Sequence, residues 1–489
     1  MTAPSEIDPM SRDTSLAHWD DTVDVIVVGM GGAGLCAAIE AAETGASVLG
    51  LERASAPGGA SALSHGQLYL GGGTSVQKAC GFDDSAEEMA KYLRAACGLG
   101  SDAEKIEIFC ARSVEHFDWL RARGVPFKDS YLGPEDTTDP HSDDCLTYTG
   151  SELAHPFCEI AKPAPRGHTV QRTGDNAGYL LMEVLLSAAK GAGVRIRTDT
   201  RVSSVLRAAD GTVHGVTVVV EGEPRRLRAR RGIVLTAGGF IENKQMVQLH
   251  APWLRRCRYR VGTDYDDGGG IRLGISAGAA TAQMDAAMIA LPFSPPRALL
   301  KGVLVNRRGQ RFINEDVYQS LAGERALLRQ DGEVFLILDD AHFERPASPT
   351  EVAAVADSYE ALEAELGMPK DSLSHTMRVY NDHAARKEDP FFHKAERWLE
   401  PMRTPPFAAL DLSTRKAFYA AFTLGGLRTQ PSGEVLDAEA RPIPGLFAAG
   451  RTAASVPGRG YSSGLSLSDA TFFGRLAGAS AARAPVREP

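Results

Sequence analysis

Residues 23–28 read Val-Asp-Val-Ile-Val-Val, a short apolar run rich in β-branched side chains that follows a polar opening. Such a run predicts a strand buried on both faces, because a strand with one wet face alternates apolar and polar positions. It leads directly into Gly29-Met30-Gly31-Gly32-Ala33-Gly34; residues 35–44 are then alanine-rich and stop at Gly45, the pattern of a helix with a glycine end. Residues 47–51 predict a second strand that delivers Glu52, which completes a strand–helix–strand unit. Farther on, residues 193–239 alternate in segments parted by Asp210-Gly211 and Glu221-Gly222-Glu223. This predicts a three-stranded meander that returns to a buried strand over 232–236 and ends at Ala237-Gly238-Gly239. Gly445-Leu446-Phe447-Ala448-Ala449-Gly450 predicts another core strand, 451–463 a loop and 464–483 a helix.

Composition narrows the class. The 489 residues suggest two or three domains, and 43% hydrophobic with 24% charged residues is ordinary for a globular chain. A net charge of −9 disfavours a nucleic-acid partner, which needs a basic footprint. The five arginines at 225, 226, 228, 230 and 231 are the one basic run and fit the wet face of a strand. Seven scattered cysteines, none in C-x-x-C spacing, suggest neither a disulfide framework nor a metal site. Residues 1–21 are polar and acid-bearing, without a signal pattern, and predict a flexible N-terminal segment. No apolar run approaches the ~18 residues of a membrane span. The expectation is a soluble cytoplasmic protein.

The glycines after the first strand permit a tight turn and close backbone approach, so a pyrophosphate can sit on the helix N-terminus. Glu52 stands 18 residues past Gly34, where an acid can accept hydrogen bonds from ribose hydroxyls. Strand, helix, strand and acid in this order predict dinucleotide binding, with FAD and NAD left open. A second glycine loop, Gly58-Gly59 followed by Ser61 and Ser64, suits a long ligand folded past its pyrophosphate toward a flavin ring. The helix start at Gly464-Leu465-Ser466-Leu467 offers free N–H groups and a positive dipole end, fit to stabilise an anionic reduced flavin. The same helix also reads as an amphipathic element that closes the core.

Taken together, Val-Val-Gly-Met-Gly-Gly-Ala-Gly, Gly-Gly-Ala-Ser, Leu-Thr-Ala-Gly-Gly-Phe, Phe-Thr-Leu-Gly-Gly-Leu and Ile-Pro-Gly-Leu-Phe-Ala-Ala-Gly-Arg resemble the FAD-dependent flavoproteins of the fumarate reductase and 3-ketosteroid dehydrogenase superfamily. The likeness runs from residue 23 to about 483. It implies an α/β fold: a Rossmann-like FAD-binding domain, parallel sheet plus β-meander, over 22–275 and 437–489, with an inserted α+β catalytic capping domain over 276–436. It implies FAD contacts at Gly29, Gly31, Gly32, Ala33, Gly34, Glu52, Arg53, Gly58, Gly59, Ala60, Ser61, Ser64, Gly66, Val202, Ala237, Gly238, Gly450, Arg451, Ser466 and Leu467. One departure is Asp266-Asp267-Gly268, where the family usually has Gly-Asp-Gly; an acid then occupies the first glycine position.

Within the superfamily, fumarate reductases carry a histidine just before the Thr-x-Gly-Gly turn. Here Phe422 precedes Thr423-Leu424-Gly425-Gly426, and an apolar site strongly disfavours a dicarboxylate. Gly460-Tyr461-Ser462-Ser463-Gly464 resembles instead the Gly-Tyr-x-Ser-Gly of 3-oxo-5α-steroid 4-dehydrogenases, and the segment typical of the 1-dehydrogenases is absent. The resemblance implies α-proton abstraction at C4 and hydride transfer from C5 to flavin N5. Tyr461, Tyr318 and Ser463 would handle the proton, and the Gly464 N–H would polarise the 3-keto oxygen. A tyrosine, normally near ~10, can act as base if neighbouring hydroxyls or the helix dipole favour its anion. Tyr318 also fits a half-buried strand position, and Ser463 a helix cap. His65 is as plausibly structural as flavin-contacting. Arg166 and His168 read as solvated loop residues, and Glu360, Glu363 and Glu365 as a wet helix face. The expected partners are a steroid and an unidentified external electron acceptor; the alternatives are a reductase of a small unsaturated acid, a 1-dehydrogenase or a non-catalytic flavin carrier.

Overall fold

The strand Asp21–Val28 lies inside a parallel sheet, flanked by Val48–Leu51 on one side and Glu223–Leu235 on the other. In this computed structural model residues 18–133, 142–172 and 176–487 are described. The N-terminal segment over 1–17 lies outside them; Asp20 hydrogen-bonds Arg226, and Asp21 already belongs to the first strand. The sheet continues outward through Arg195–Arg197 beyond Val48–Leu51 and through Pro442–Ala448 beyond Glu223–Leu235. Val25, Ile26 and Val27 are all fully buried, which is why the run does not alternate.

The helix Gly32–Glu43 connects the first two strands and starts three residues before the alanine-rich run, at the glycines themselves. The meander is Arg201–Arg207, Val213–Val220 and Glu223–Leu235, paired antiparallel. It does not return to a separate buried strand. Residues up to Arg228 pair with the meander and those from Leu227 onward pair in the parallel sheet, so one long strand serves both. The half with five arginines keeps alternate side chains in water, where Arg225 meets Asp20 and Arg230 meets Asp24; the Ile233–Leu235 half is buried.

Between these parts stands an antiparallel sheet of Val303–Asn306, Val334–Asp339, Phe407–Asp411 and Glu351–Ala356, in that spatial order. The helices Gln319–Arg329, Tyr359–Glu365 and Ser372–Ala384 accompany it. Glu363 is not on a wet face: it is buried and accepts backbone N–H groups of Asp371, Leu373 and Ser374. Its carboxylate satisfies orphan donors at the start of the next helix, a use of acid at an N-terminus that periodicity alone does not separate from solvation. A smaller sheet of Tyr259–Arg260, Ala420–Thr423 and Ala287–Ala290 sets Met288 directly opposite Phe422.

The C-terminal helix Leu465–Arg483 lies against Gly32–Glu43 at very short range. A Cβ on Gly474 would fall 2.4 Å from the Ala33 carbonyl oxygen, and one on Gly478 2.0 Å from that of Ala37. Its N-terminus is thereby brought beside the glycine turn of the first strand, although the two segments are more than 400 residues apart in the chain.

Candidate active site

One cavity of about 1020 Å³ runs along the C-terminal edge of the parallel sheet. At one end it is walled by glycine turns. Gly29 has φ +94°, and a Cβ there would meet the Thr236 carbonyl oxygen at 2.7 Å, so only glycine lets the two strand ends come together. The Gly32 N–H donates to Ser61 Oγ (3.2 Å), which links the first glycine turn to the second. Glu52 is buried and accepts N–H bonds from Met30 and Ala54, both 2.9 Å. A carboxylate has about four lone-pair sites, so capacity remains for ribose hydroxyls. Arg53 pairs with Asp267 at 2.8 Å and lies over the Tyr265 ring at 4.6 Å.

The cavity walls include Gly29, Gly31, Gly32, Ala33, Glu52, Arg53, Gly59, Ala60, Ser61, Ser64, Val202, Ala237, Gly238, Gly450, Arg451, Ser466 and Leu467. Gly34, Gly58 and Gly66 are not on the wall. They serve backbone geometry: Gly34 packs on the Gly29 carbonyl, Gly58 has φ +128° before a short helix, and a Cβ at Gly66 would strike the Ala177 backbone at 2.5 Å. His65 lines the cavity.

Asp266, the acid at the family's glycine position, is buried and builds the local turn. It accepts from the N–H groups of Gly239 (2.9 Å) and Thr263 (3.0 Å), and Arg451 Nη2 reaches both of its oxygens at 3.0 Å. Arg451 Nη1 is buried with no hydrogen-bond partner among the described residues, and the guanidinium lies 5.3 Å over the Phe422 ring. An orphan buried donor beside a glycine-walled cradle fits a polar cofactor that supplies the missing acceptor.

The other end of the cavity is apolar, with Met288, Ala290, Phe293 and Phe422 on its walls, and holds two tyrosines. Tyr318 and Tyr461 are half-buried with ring centroids 6.5 Å apart, and Phe422 stands edge-on to Tyr461 at 5.5 Å. Tyr318 is not in a strand; it precedes the helix Gln319–Arg329, and its N–H donates to Ser151 Oγ (2.9 Å). Tyr461 Oη accepts from the Ser466 N–H (3.3 Å) in the first turn of the C-terminal helix. That helix is capped by Gly464 at φ +85° with no side-chain cap, so the Ser463 hydroxyl is left for the cavity. Tyr461, Tyr318, Ser463 and Gly464 therefore converge on one wall.

Burial pushes the Tyr318 phenol up to about 12 although the Ser463 hydroxyl pulls it down. Tyr461 is pushed up as well, by burial first and then by the neighbouring Tyr318, against the Ser466 N–H. The helix start and the hydroxyl act in the expected direction, but desolvation wins, and both phenols hold their protons at neutral pH.

Arg166 and His168 are not solvated. Arg166 is fully buried against Asp84 at 2.7 and 3.0 Å. His168 lies in the strand Gly167–Thr169, bonded to Thr74 Oγ1 (2.8 Å) and the Arg166 carbonyl (3.1 Å). Neither lines the cavity. Sequence reasoning missed Asp316, Gln319, Arg397 and the 148–150 segment on the cavity wall. Asp316 and Gln319 flank Tyr318 and so had a signal; residues 148–150 carry no motif and arrive there only by folding.

Comparison with known proteins agrees with this geometry. The FAD binding domain family matches residues 24–467. A 3-oxo-5-alpha-steroid 4-dehydrogenase of Comamonas testosteroni is 31% identical over 88% of this chain and 93% of its own. A crystal structure of 3-ketosteroid-delta4-(5alpha)-dehydrogenase from Rhodococcus jostii RHA1 with 4-androstene-3,17-dione is 45% identical, covers 96% of this chain and 99% of that one, and superposes with a TM-score of 0.92. A cytochrome-type fumarate reductase of Shewanella frigidimarina is 27% identical over 97% of this chain and 80% of its own.

Proposed function

The chain belongs to the FAD binding domain family, and from that premise we propose that it is an FAD-dependent oxidoreductase that converts 3-oxo-5α-steroids to 4-ene-3-oxosteroids. The observation that carries this reading is the Tyr318–Tyr461 pair set in an apolar cavity that continues into the dinucleotide cradle. When bound, FAD supplies the acceptor for the hydride that leaves C5. The chain must supply the rest. Met288, Ala290, Phe293 and Phe422 offer a sterol body an apolar wall. The C4 proton is too weakly acidic to leave unaided, so the 3-keto oxygen needs preorganised donors as enolate charge develops. A protonated tyrosine and the Gly464 N–H at a helix start are such donors, and the second tyrosine, in its ionised form and with Ser463 as relay, takes the C4 proton. Loss of that proton and of the C5 hydride leaves the 4,5 double bond.

A dicarboxylate substrate is disfavoured on the same residues. Phe422 stands before the Thr423 turn, and the guanidinium above it is already engaged by Asp266. The reading divides the chain into an FAD module over 22–275 and 437–489 and a capping module over 276–436. It leaves the electrons to an external acceptor, and a cytoplasmic location suits it; among the described residues no helix is long and apolar enough to cross a membrane.

The test is an anaerobic titration of the yellow holoprotein with a 3-oxo-5α-steroid, followed by flavin absorption. Bleaching with formation of the 4-ene-3-one is expected. A flavin that stays oxidised with steroid, yet is reoxidised from its reduced form by small unsaturated acids, overturns the steroid assignment.

A further inference from the structure

Behind the cavity wall, three distant segments meet at one phenol. Tyr92, on the helix Ala86–Ala96, is 1% exposed and does not line the cavity. Its Oη accepts the Ser151 N–H at 2.8 Å and lies 2.9 Å from Ser462 Oγ. Ser151 Oγ in turn accepts the Tyr318 N–H (2.9 Å), and the Ser463 N–H donates to the Thr149 carbonyl (2.9 Å). Residues 149–151 therefore form a bridge, with Tyr318 on one side and Ser462-Ser463 on the other. Gly150 sits in the middle, where a Cβ would fall 2.1 Å from Tyr92 Oη and 2.4 Å from Ser462 Oγ. The bridge is held from below as well: Glu152, buried, accepts the Gly150 N–H (2.8 Å) and the Tyr69 hydroxyl (3.0 Å).

We propose that Tyr92 is a positioning residue that, through Ser151 and Ser462, sets the distance between Tyr318 and the Tyr461–Ser463 segment. The proposal rests on the steroid reading for its kinetic consequence, not for its geometry. The bridge draws together segments far apart in the chain: Ser462 lies 370 residues from Tyr92, and Tyr318 lies 167 from Ser151. The Tyr318 phenol also meets the Ser463 hydroxyl directly, and the bridge fixes the two backbones that carry these side chains. The Tyr92 phenol accepts the Ser151 N–H and shares a second hydrogen bond with Ser462 Oγ. One hydroxyl thus fixes both sides, and a phenyl ring in its place keeps the packing against Tyr69 and Phe157 while it frees them. Proton transfer between positioned groups is sharply sensitive to distance, and a displacement of about 1 Å away from the chemistry can lower a rate on the order of a hundredfold.

The experiment uses Tyr92→Phe holoprotein, with Ser462→Ala cutting the same contact from the other end. Limiting rates of anaerobic flavin bleaching by a 3-oxo-5α-steroid are measured, with the half-saturating steroid concentration, FAD content and amide hydrogen exchange of the holoproteins. In both variants the limiting rate falls on the order of tenfold to a hundredfold. FAD content stays full and half-saturation moves less than about threefold, because no wall residue of the cavity is altered. The double variant is no slower than the worse single one, as coupled residues require. Exchange rises in peptides over 149–152 and 461–465. A merely structural role predicts a different pattern, with FAD loss or a lower melting temperature in proportion to the loss of activity, and the surviving holoprotein bleaching at the wild-type rate; that result overturns the proposal. Should wild-type holoprotein not bleach with steroid at all, the steroid reading falls on its own. Exchange then decides about the clamp: unchanged exchange at 461–465 overturns it, and raised exchange sustains it.

Discussion

At Tyr318 and Tyr461 two effects oppose each other. Neighbouring donors favour the phenolate, while burial disfavours it by more, and Tyr318 ends at about 12. At pH 7 a phenol at about 12 is ionised in roughly one molecule in 10⁵. A mechanism that needs a free tyrosinate therefore has a limiting bleaching rate that climbs about tenfold per pH unit between pH 6 and 9. That climb is the expected result of stopped-flow measurements; a flat profile assigns both phenols to hydrogen-bond donation and the base to another group. Tyr461→Phe is expected to cut turnover by on the order of 10³-fold with FAD still bound, since only the Ser466 N–H loses a partner. Flavin stoichiometry and product analysis check it, and retained turnover removes the residue from the chemistry. Asp266 answers to a different balance. Asp266 is buried and Arg451 largely so, and Asp266→Gly, which restores the family's usual residue, strands a guanidinium. Denaturant unfolding is expected to report a loss of about 3–5 kcal/mol, more than Asp266→Asn costs.

The C-terminal helix is the element that joins cofactor cradle to proton-handling groups. Its N-terminal turn carries Gly464 and Ser466, and its middle is clamped to Gly32–Glu43 by backbone approach at Gly474 and Gly478. A methyl at 478 meets the Ala37 carbonyl at 2.0 Å, and backbone does not yield as a flexible side chain would. Gly478→Ala is thus expected to cost about 1–3 kcal/mol and to tilt the helix start away from the first glycine turn. Thermal melts read the first effect and weaker FAD retention on gel filtration the second; an unchanged melt with full FAD would mean that the two helices separate freely. The sequence pattern marked this helix at residues 464–483 because one apolar face repeats. It did not mark the partner, because Gly474 and Gly478 read in sequence only as poor helix formers. The meander was legible for the same kind of reason, since turn residues punctuate it. The continuity of its last strand was not, since a wet half and a dry half of one strand resemble two strands.

Across the whole molecule, what was legible is what backbone chemistry forces into local sequence: the Gly29–Gly34 turn, Glu52 at the end of the second strand, and the Gly460–Gly464 loop. What was not legible is polar groups that are buried because a distant partner satisfies them. Arg166 needs Asp84, Glu363 needs the backbone of 371–374, and Tyr92 needs Ser151 and Ser462; nothing within ten residues announces any of these contacts except at Glu363. His168 belongs to this group and gives it a measurable consequence. Its strand lies between Gln67–Tyr69, which brings Tyr69 to Glu152, and Leu146–Thr147, which leads into the bridge at 149–151. Burial pushes its imidazole down to about 4 from a usual value near ~6.5, with the ring held neutral between Thr74 and the Arg166 carbonyl. The group therefore takes up its proton more readily in the unfolded chain. Its contribution is complete above about pH 6.5 and is lost as pH falls through 4, so that between those values stability rises with pH. A shift of that size corresponds to roughly 3 kcal/mol, of which roughly 2 is already forfeited at pH 5. In urea unfolding of the holoprotein at pH 7 and pH 5, buried His116, displaced in the same direction, widens this gap, while buried Asp469 and Glu152, whose carboxyls burial pushes up, narrow it. His168→Gln, which cannot take a proton, should narrow the gap between the two pH values. Equal gaps in the two proteins would place the acid sensitivity elsewhere, with His116 and His214 as the buried imidazoles next to substitute.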